Sequence, residues 1–152
     1  MYQKILVPID GSPTSKHALQ EAIRLARSLG AQLELIHIYE DIIYLIGEDY
    51  INYEELQKTV RSCGEKMLAD AEAQVRMSDI EVETRLISAG NERVADVIVT
   101  EAERWQAELI VLGTHGHSGF SRLLLGSVAE GVARAASIPV LLIRGTASVS
   151  SR

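Results

Sequence analysis

A glycine-rich segment between residues 113 and 127 has the composition of a loop that binds phosphate. Its glycines lie just before a helical pattern, at Gly113, Gly116, Gly119 and Gly126. Glycine lets the backbone approach a ligand closely, and the N–H groups of such a loop and of a following helix N-terminus bind anions. The segment contains no Asp or Glu, but it contains His115, His117 and Arg122. An oligophosphate ligand fits this pattern, and an ordinary glycine-rich strand-to-helix loop is the structural alternative.

Two further groups of residues bear on the same loop. Ser127 and Glu130 have the spacing of a capping box, which predicts a helix that begins at Ser127. His115 and His117 supply only two possible zinc ligands, so solvated or phosphate-facing histidines are the better interpretation. Asp10 follows an apolar run and begins an Asp-Gly-Ser-Pro turn, so it is either a ligand-binding carboxylate or a turn residue, or both.

Strand and helix patterns alternate along the whole chain. Short apolar runs predict strands at Ile5–Ile9, Leu33–Ile38, Ile80–Ile87, Leu109–Leu112 and Ile138–Ile143. Helical spacing predicts helices around Leu19–Ala26, Leu56–Met67, Val94–Trp105 and Val128–Ala136, with Gly30 ending the first and Cys63 on a buried face of the second. Right-handed crossovers then give an α/β fold with a parallel sheet and helices on both faces. The alternating third strand is expected at an edge.

Composition and charge restrict the class of protein. The chain has 152 residues and a net charge of -6, which disfavours nucleic acid and anionic membranes as partners. No apolar run reaches the ~20 residues of a membrane helix, and the N-terminal run is too short for a signal peptide, so a cytoplasmic location is expected. A single cysteine allows no intrachain disulfide. We expect one domain over residues 1–144 and a flexible tail over 145–152. The segment Glu40–Tyr53 either packs on its own domain or forms a lid or partner surface.

The glycine spacing, taken with both ends of the chain, resembles the universal stress protein family. Gly113-x-x-Gly116, nine residues and then Gly126-Ser127 looks like the family's G-2x-G-9x-G-[S/T] ATP-binding motif. The opening residues 4–12, KILVPIDGS, and the closing residues 138–144, IPVLLIR, are similar to the family's two ends. This resemblance implies a Rossmann-like open sheet of order 3-2-1-4-5, a bound ATP, ADP or AMP, and a homodimer.

The resemblance also implies roles for individual residues. Pro8 and Ile9 would line the base pocket, Asp10 would lie near the ribose and adenine, and the Ile38 backbone would face the adenine edge. Gly113 and Gly116 would follow the ribose and α-phosphate. Gly126, Ser127 and Val128 would contact the β- and γ-phosphates, and His115 and Arg122 complete the predicted nucleotide-binding set. Apart from the resemblance, the net charge of -6 predicts that Mg²⁺ or Mn²⁺ neutralises the triphosphate, held through the phosphates, with Asp10 as the one direct contact considered.

Two functions of different class follow from this site. The first is a nucleotide-binding regulatory stress-response protein, without catalytic residues, that acts as a homodimer and through a regulatory protein partner. The alternative is a slow metal-dependent ATPase or nucleotide-transferring enzyme. In the implied strand order the fifth strand is an edge, and its run Val140, Leu141, Leu142 and Ile143 is apolar on both faces. Such an edge invites pairing with a second copy of the chain.

Overall fold

The computed structural model describes residues 2–40, 53–115 and 125–145. Strands and helices alternate through these ranges. The strands are β1 (Lys4–Pro8), β2 (Gln32–Tyr39), β3 (Val82–Ser88), β4 (Leu109–Gly113) and β5 (Val140–Ile143). The helices are α1 (Pro13–Leu29), α2 (Tyr53–Arg76), α3 (Val94–Trp105) and α4 (Ser127–Ala135).

The five strands form one sheet in the order β3-β2-β1-β4-β5, and every neighbouring pair is parallel. The α/β fold class and the predicted strand order are therefore confirmed. β3 lies at one edge, as its alternating pattern predicts, and β5 lies at the other. The chain passes from β1 to β2 on one side and later returns to β4 on the other side of β1. The order thus reverses at β1 and β4, the position where open parallel sheets bind ligands.

Each face of the sheet is covered by two helices. On one face, Ile5 and Val7 of β1 belong to an apolar cluster that includes residues of α1 and α2. On the other face, Leu6 packs in a second cluster with residues of α3 and α4, including Ile98 and Val132. Because β1 alternates between two buried clusters, it has to be apolar at consecutive positions, and this explains its continuous apolar run.

The ends of α1 follow directly from its sequence. The Oγ of Ser12 accepts a hydrogen bond from the Ser15 N–H at 3.2 Å and caps the N-terminus. Pro13 occupies the first helical position, where no N–H is needed. Gly30 ends the helix in the left-handed conformation, at φ 70°, as predicted. The start of α1 is therefore fixed beside the carboxyl end of β1.

The prediction of a buried Cys63 is wrong. Cys63 is exposed, and the buried side of α2 consists of Gly64, Leu68, Ala71 and Val75. Gly64 allows this orientation because a Cβ at this position would lie 2.8 Å from carbon atoms of the His37 and Leu86 side chains. The helix therefore approaches the sheet through a glycine, and this close approach turns Cys63 outward.

Three predictions fall wholly or mainly outside the described residues. They concern residues 41–52 of the Glu40–Tyr53 segment, residues 116–124 of the glycine-rich loop, and the predicted tail beyond residue 145. Within the described ranges, none of the helices combines the length and the apolar character needed to cross a bilayer.

Candidate functional site

A cavity of about 500 Å³ opens at the carboxyl ends of β1, β2 and β4. Its walls come from these strand ends, from the first turns of α1, α3 and α4, and from the loops between them. Pockets for small ligands and cofactors commonly enclose about 300–1,000 Å³. The cavity therefore has the size of a nucleotide-scale site and lies where the strand order reverses.

One side of the cavity is apolar. This wall is one apolar cluster that lines the cavity, formed by Ile36 and Ile38 of β2, Val94 and Ile98 of α3, and Leu112 of β4. The two β2 residues are two positions apart, so they point to the same face of the sheet. The two α3 residues are four apart and share one side of the helix. A flat apolar group such as a nucleobase fits this wall.

The other side is polar and begins with the turn after β1. Oδ1 of Asp10 accepts a hydrogen bond from the Ser12 N–H at 2.9 Å, and the Asp10 N–H donates to Ser15 Oγ at 3.1 Å. Gly11 between them has φ 81°, a left-handed conformation that favours glycine. Asp10 thus stabilises the turn and lines the cavity at the same time.

His37 supports the same turn from the opposite face of the sheet. Its Nδ1–H donates to the Ile9 carbonyl oxygen at 2.7 Å. The Ile9 N–H donates to the Ile36 carbonyl at 2.7 Å, which continues the pairing of β1 with β2 beyond the last residue of β1. The backbone that enters the Asp10 turn is therefore held at both its N–H and its carbonyl group.

The loop after β4 connects to both α1 and α4. The Gly126 N–H donates to the Thr114 carbonyl at 2.8 Å, and the Thr14 hydroxyl donates to the His115 carbonyl. A Cβ on Gly126 would lie 2.9 Å from the Thr114 oxygen, and a Cβ on Gly113 would lie 2.8 Å from Thr14 Oγ1. These two glycines are therefore required where segments of the protein meet.

The start of α4 differs in one respect from the prediction. The helix begins at Ser127 as expected, but Gly126 is the N-cap residue and no side chain makes the cap hydrogen bond. Glu130 instead pairs with Arg134 at 2.6 Å. The capping-box prediction is wrong because Gly126, at φ -64° and ψ 156°, already has the extended N-cap conformation. Ser127 consequently occupies the first helical position, exposed at the rim of the cavity.

Comparison with known proteins identifies the family. The universal stress protein family matches residues 1–144, nearly the whole chain. This chain belongs to that family. The universal stress protein YxiE of Bacillus subtilis (strain 168) is 33% identical over 151 residues, a stretch that covers 95% of this chain and 100% of the relative.

Two solved universal stress protein structures that this chain resembles contain adenine nucleotides. One is a universal stress protein in complex with cAMP, with 25% identity and a TM-score of 0.69 over 95% of this chain and 98% of that chain. The other, from Archaeoglobus fulgidus, is in complex with dAMP, with 25% identity and a TM-score of 0.66 over 93% of this chain and 98% of that chain.

The cavity brings together all the predicted nucleotide-binding residues that the structure describes. These are Pro8, Ile9, Asp10, Ile38, Gly113, His115, Gly126, Ser127 and Val128. The other two, Gly116 and Arg122, lie outside the described residues, as does His117 of the histidine pair. Ten further residues line the cavity but were not in the predicted set: Ser12, Thr14, Ser15, Ile36, Val94, Ile98, Leu112, Thr114, Leu125 and Ala129.

The sequence contains a signal for some of the missed residues. Each helix that follows a strand in this fold begins at the carboxyl edge of the sheet, so its first turn borders the cavity. Thr14 and Ser15 occupy the first turn of α1, and Val94 occupies the first turn of α3. The predicted start of the third helix at Val94 was sufficient to include that residue, whereas the first helix was predicted only from Leu19, so Thr14 and Ser15 were missed.

A second cleft, of about 820 Å³, lies at the opposite end of the sheet, where the strands begin. Its lining has three carboxylates, Asp79, Glu81 and Glu108, against two cations, Lys4 and Arg27, and the C-terminal ends of α1 and α3 lie beside it. Helix C-termini and carboxylates repel anions. The cavity at the carboxyl ends of the strands is therefore the better site for a nucleotide.

Metal ligands are sparse in the cavity. Over residues 2–40, 53–115 and 125–145, no three His, Cys, Asp or Glu side chains are grouped so that they could hold an ion. Asp10 is the one carboxylate in the cavity lining of these ranges. These residues fit an ion held mainly by a ligand's phosphates, with at most one direct protein carboxylate.

Proposed function

We propose that the protein is an adenine-nucleotide-binding regulatory protein of the stress response, which acts as a homodimer. The observation that carries the proposal is a single cavity with an apolar wall on one side and a helix N-terminus beside a glycine-rich loop on the other. Relatives in complex with cAMP and dAMP support an adenine nucleotide as the ligand. ATP, ADP and AMP share the adenosine and α-phosphate portion that this cavity would recognise.

The proposed orientation follows from the chemistry of the two walls. The adenine lies against Ile38 and Val94, the partly exposed members of the apolar wall, because burial of an aromatic base there removes apolar surface from water. The ribose lies near Asp10, whose carboxylate can accept hydrogen bonds from sugar hydroxyls. The phosphates then lie towards Ser127, where the N–H groups and positive dipole end of α4 favour negative charge.

The phosphate side includes residues from the predicted set that are not described. Gly116 and Arg122 are proposed to follow the phosphates together with Gly113, Gly126 and Val128. His115 lines the cavity from the loop after β4. The protein has a net charge of -6, so the negative charge of a bound triphosphate needs neutralisation. We propose that Mg²⁺ or Mn²⁺ supplies it, bound mainly through phosphate oxygens.

Binding without turnover is the proposed mode of action. Hydrolysis of a triphosphate needs a base or a residue that positions water at the γ-phosphate. Glu130 is paired with Arg134, and Asp10 is held by the turn at the other side of the cavity. The nucleotide then acts as a signal for a protein partner. A cytoplasmic location remains a prediction from the sequence.

The homodimer is proposed to form through β5. This strand is at the edge of the sheet, and Leu141 is 40% exposed there. Val140, Leu142 and Ile143 are half-buried. An exposed apolar edge strand presents unpaired N–H and C=O groups to a second copy, and an antiparallel pairing of β5 with itself satisfies both edges in a two-fold dimer.

A direct test combines recovery of bound nucleotide with titration. The protein, purified without added ligand, is denatured and the released nucleotides are separated by chromatography. Calorimetric titration with ATP, ADP and AMP, each with Mg²⁺, follows, and GTP serves as the control for the base. The proposal expects saturable one-to-one binding of at least one adenine nucleotide and weaker binding of GTP. Absence of binding of all three adenine nucleotides would refute it.

A further inference from the structure

A buried charged cluster lies between β2, β3 and α3. Glu34 of β2 is fully buried, and Glu101 of α3 is 4% exposed. Arg104 of α3 donates to both oxygens of Glu101, at 2.8 and 2.7 Å, and approaches Glu34 Oε2 at 3.5 Å. Arg85 of β3 lies 3.7 Å from Glu101. Two carboxyl groups therefore share one interior site, and their cations reach it from the surface.

The two carboxyl groups differ in proton affinity. Burial, together with the hydrogen bond and the negative charge of Glu101, raises the pKa of Glu34 to about 8, although the positive charge of Arg104 opposes the increase. Burial also opposes ionisation of Glu101, but hydrogen bonds from Arg104 and Glu34 and the charge of Arg85 hold the pKa of Glu101 below its ordinary value. At neutral pH, Glu34 is therefore the protonated member of the pair and Glu101 the charged one.

Hydrogen bonding supports the same assignment without reference to titration. Within the described residues, Oε1 of Glu34 is buried and receives no hydrogen bond from any donor. An ionised Glu34 would therefore leave a buried charged oxygen unsatisfied, which is costly. A protonated Glu34 has a donor of its own, for which the neighbouring Glu101 carboxylate can serve as acceptor.

The surrounding charges are few and come from two elements. α3 contributes Glu101 and Arg104, and β3 contributes Glu83 and Arg85. On its other side, β2 is paired with β1, where Leu6 is the residue in register with Glu34. The negative charges of Glu83 and Glu101 both disfavour ionisation of Glu34. Among the described residues, Arg104 is the one cation whose charge acts on Glu34 in the opposite direction.

The Glu34–Glu101 pair lies next to the apolar wall of the cavity along both β2 and α3. Glu34 precedes Ile36 by two residues on β2, and Glu101 follows Ile98 by three residues on α3. These spacings correspond to roughly 7 Å along a strand and roughly one turn of helix. Ile36 and Ile98 line the cavity and belong to the same apolar cluster. Because Ile36 and Ile98 are buried in this cluster at the base of the cavity, a displacement of α3 from β2 at the acid pair would extend to the apolar wall.

We propose that Glu34 and Glu101 form a proton-dependent latch between β2 and α3 that regulates nucleotide affinity in the adjoining cavity. The regulation rests on the proposed function. With one proton between them, the two carboxyl groups hold α3 against the sheet. When the proton is lost, two like charges share a buried site and push α3 away from β2. The apolar wall then contacts the base less closely, and by linkage a bound nucleotide favours retention of the proton.

The test measures AMP affinity by calorimetry between pH 6.5 and 9.5. AMP needs no metal ion, and its phosphate is fully ionised over most of this range. Wild-type affinity is expected to fall up to roughly tenfold between pH 7 and 9, because one unit above a midpoint near 8 only about one molecule in eleven retains the proton. Glu34→Gln is permanently uncharged and donates through its amide, so its affinity is expected to stay constant. Glu103→Gln, the same chemical change at an exposed position of α3, is the matched control and keeps the wild-type profile.

Urea unfolding without nucleotide tests the latch independently of the site. The folded state holds the Glu34 proton up to about pH 8 and the unfolded chain releases it near pH 4.5. The contribution of Glu34 to the free energy of unfolding is therefore present in full below pH 4.5, and it is lost as the pH rises from there through 8. The wild type and Glu103→Gln are expected to lose stability over this window relative to Glu34→Gln. Parallel wild-type and Glu34→Gln stability profiles would overturn the latch.

Two other outcomes separate the proposals. A stability slope with wild-type AMP affinity independent of pH would overturn regulation of the cavity. Absence of AMP binding at every pH would overturn both that regulation and AMP as a ligand, while the stability slope would still report the shared proton. If Glu34→Gln does not fold, Glu101→Gln serves instead, because it removes the like charge beside Glu34. The pH midpoint of the stability loss in Glu101→Gln should then be lower than that of the wild type. An unchanged midpoint would overturn the latch.

Discussion

Replacement of Ser127 by alanine separates binding of phosphate from stability of the fold. The sequence pattern assigned Ser127 two functions, a phosphate contact and the cap of α4. The structure removes the second, because Gly126 is the N-cap and the Ser127 side chain makes no cap hydrogen bond. An exposed serine at the first helical position contributes little, so Ser127→Ala should change the free energy of unfolding by no more than about 0.5 kcal/mol.

The effect on binding should be much larger. A hydrogen bond to a charged phosphate contributes about 1.5–3 kcal/mol. At about 1.4 kcal/mol per factor of ten, loss of the Ser127 hydroxyl should weaken ATP binding roughly 10- to 150-fold. Calorimetric titration with ATP and Mg²⁺ measures this ratio, and urea unfolding measures stability in the same samples.

Ser62→Ala provides the matched control. Ser62 is exposed on α2 and takes no part in the cavity lining. This variant loses a hydroxyl from a helix surface and should bind ATP like the wild type. A folded Ser127→Ala protein with unchanged ATP affinity would refute the direct phosphate contact, and a loss of several kcal/mol in stability would refute the assignment of Gly126 as the cap.

Three further perturbations test the loop contact, the metal ion and the dimer. Gly126→Ala places a Cβ 2.9 Å from the Thr114 carbonyl oxygen, so overpacking should lower the unfolding free energy by about 1–3 kcal/mol; equal urea midpoints for variant and wild type would contradict this. Removal of divalent ions with EDTA should weaken ATP binding severalfold, because the described lining of the cavity contains no lysine or arginine; an affinity within a factor of about two would show that backbone donors and the helix dipole suffice. Substitution of both Leu141 and Leu142 by lysine should give a monomer in sedimentation experiments, since lysine blunts edge pairing; a wild-type chain that sediments as a monomer at tens of micromolar would exclude the proposed dimer.

The sheet was predictable because its information is local. β1 and β4 are continuous apolar runs, since both of their faces are covered, and β3 alternates because it is at an edge. Gly30 marks the end of α1 by its left-handed conformation. In each case the physical cause acts within a few residues of the pattern that reports it. The strand order, however, came from the family resemblance and not from these patterns.

The errors have the opposite character, because their causes lie elsewhere in the chain. Cys63 was placed on the buried side of α2 by its apolar character, but a glycine with no hydropathy signal forms the contact with His37 and Leu86. Glu34 lies within an apolar run and gives no local sign of its protonation. Its partners Glu101 and Arg104 come from a helix about seventy residues later. Only the fold brings these groups together.

The glycines of the phosphate motif have a function that the spacing alone does not reveal. Gly113 allows β4 to meet Thr14 at the start of α1, and Gly126 allows the start of α4 to meet Thr114. These contacts place the first turns of two helices beside one strand end, and this arrangement creates the cavity before any ligand enters. Loss of binding on substitution of either glycine therefore cannot be attributed to a lost phosphate contact. Ser127, which is exposed and makes no cap hydrogen bond, is the motif residue at which a change in affinity can be assigned to the ligand itself.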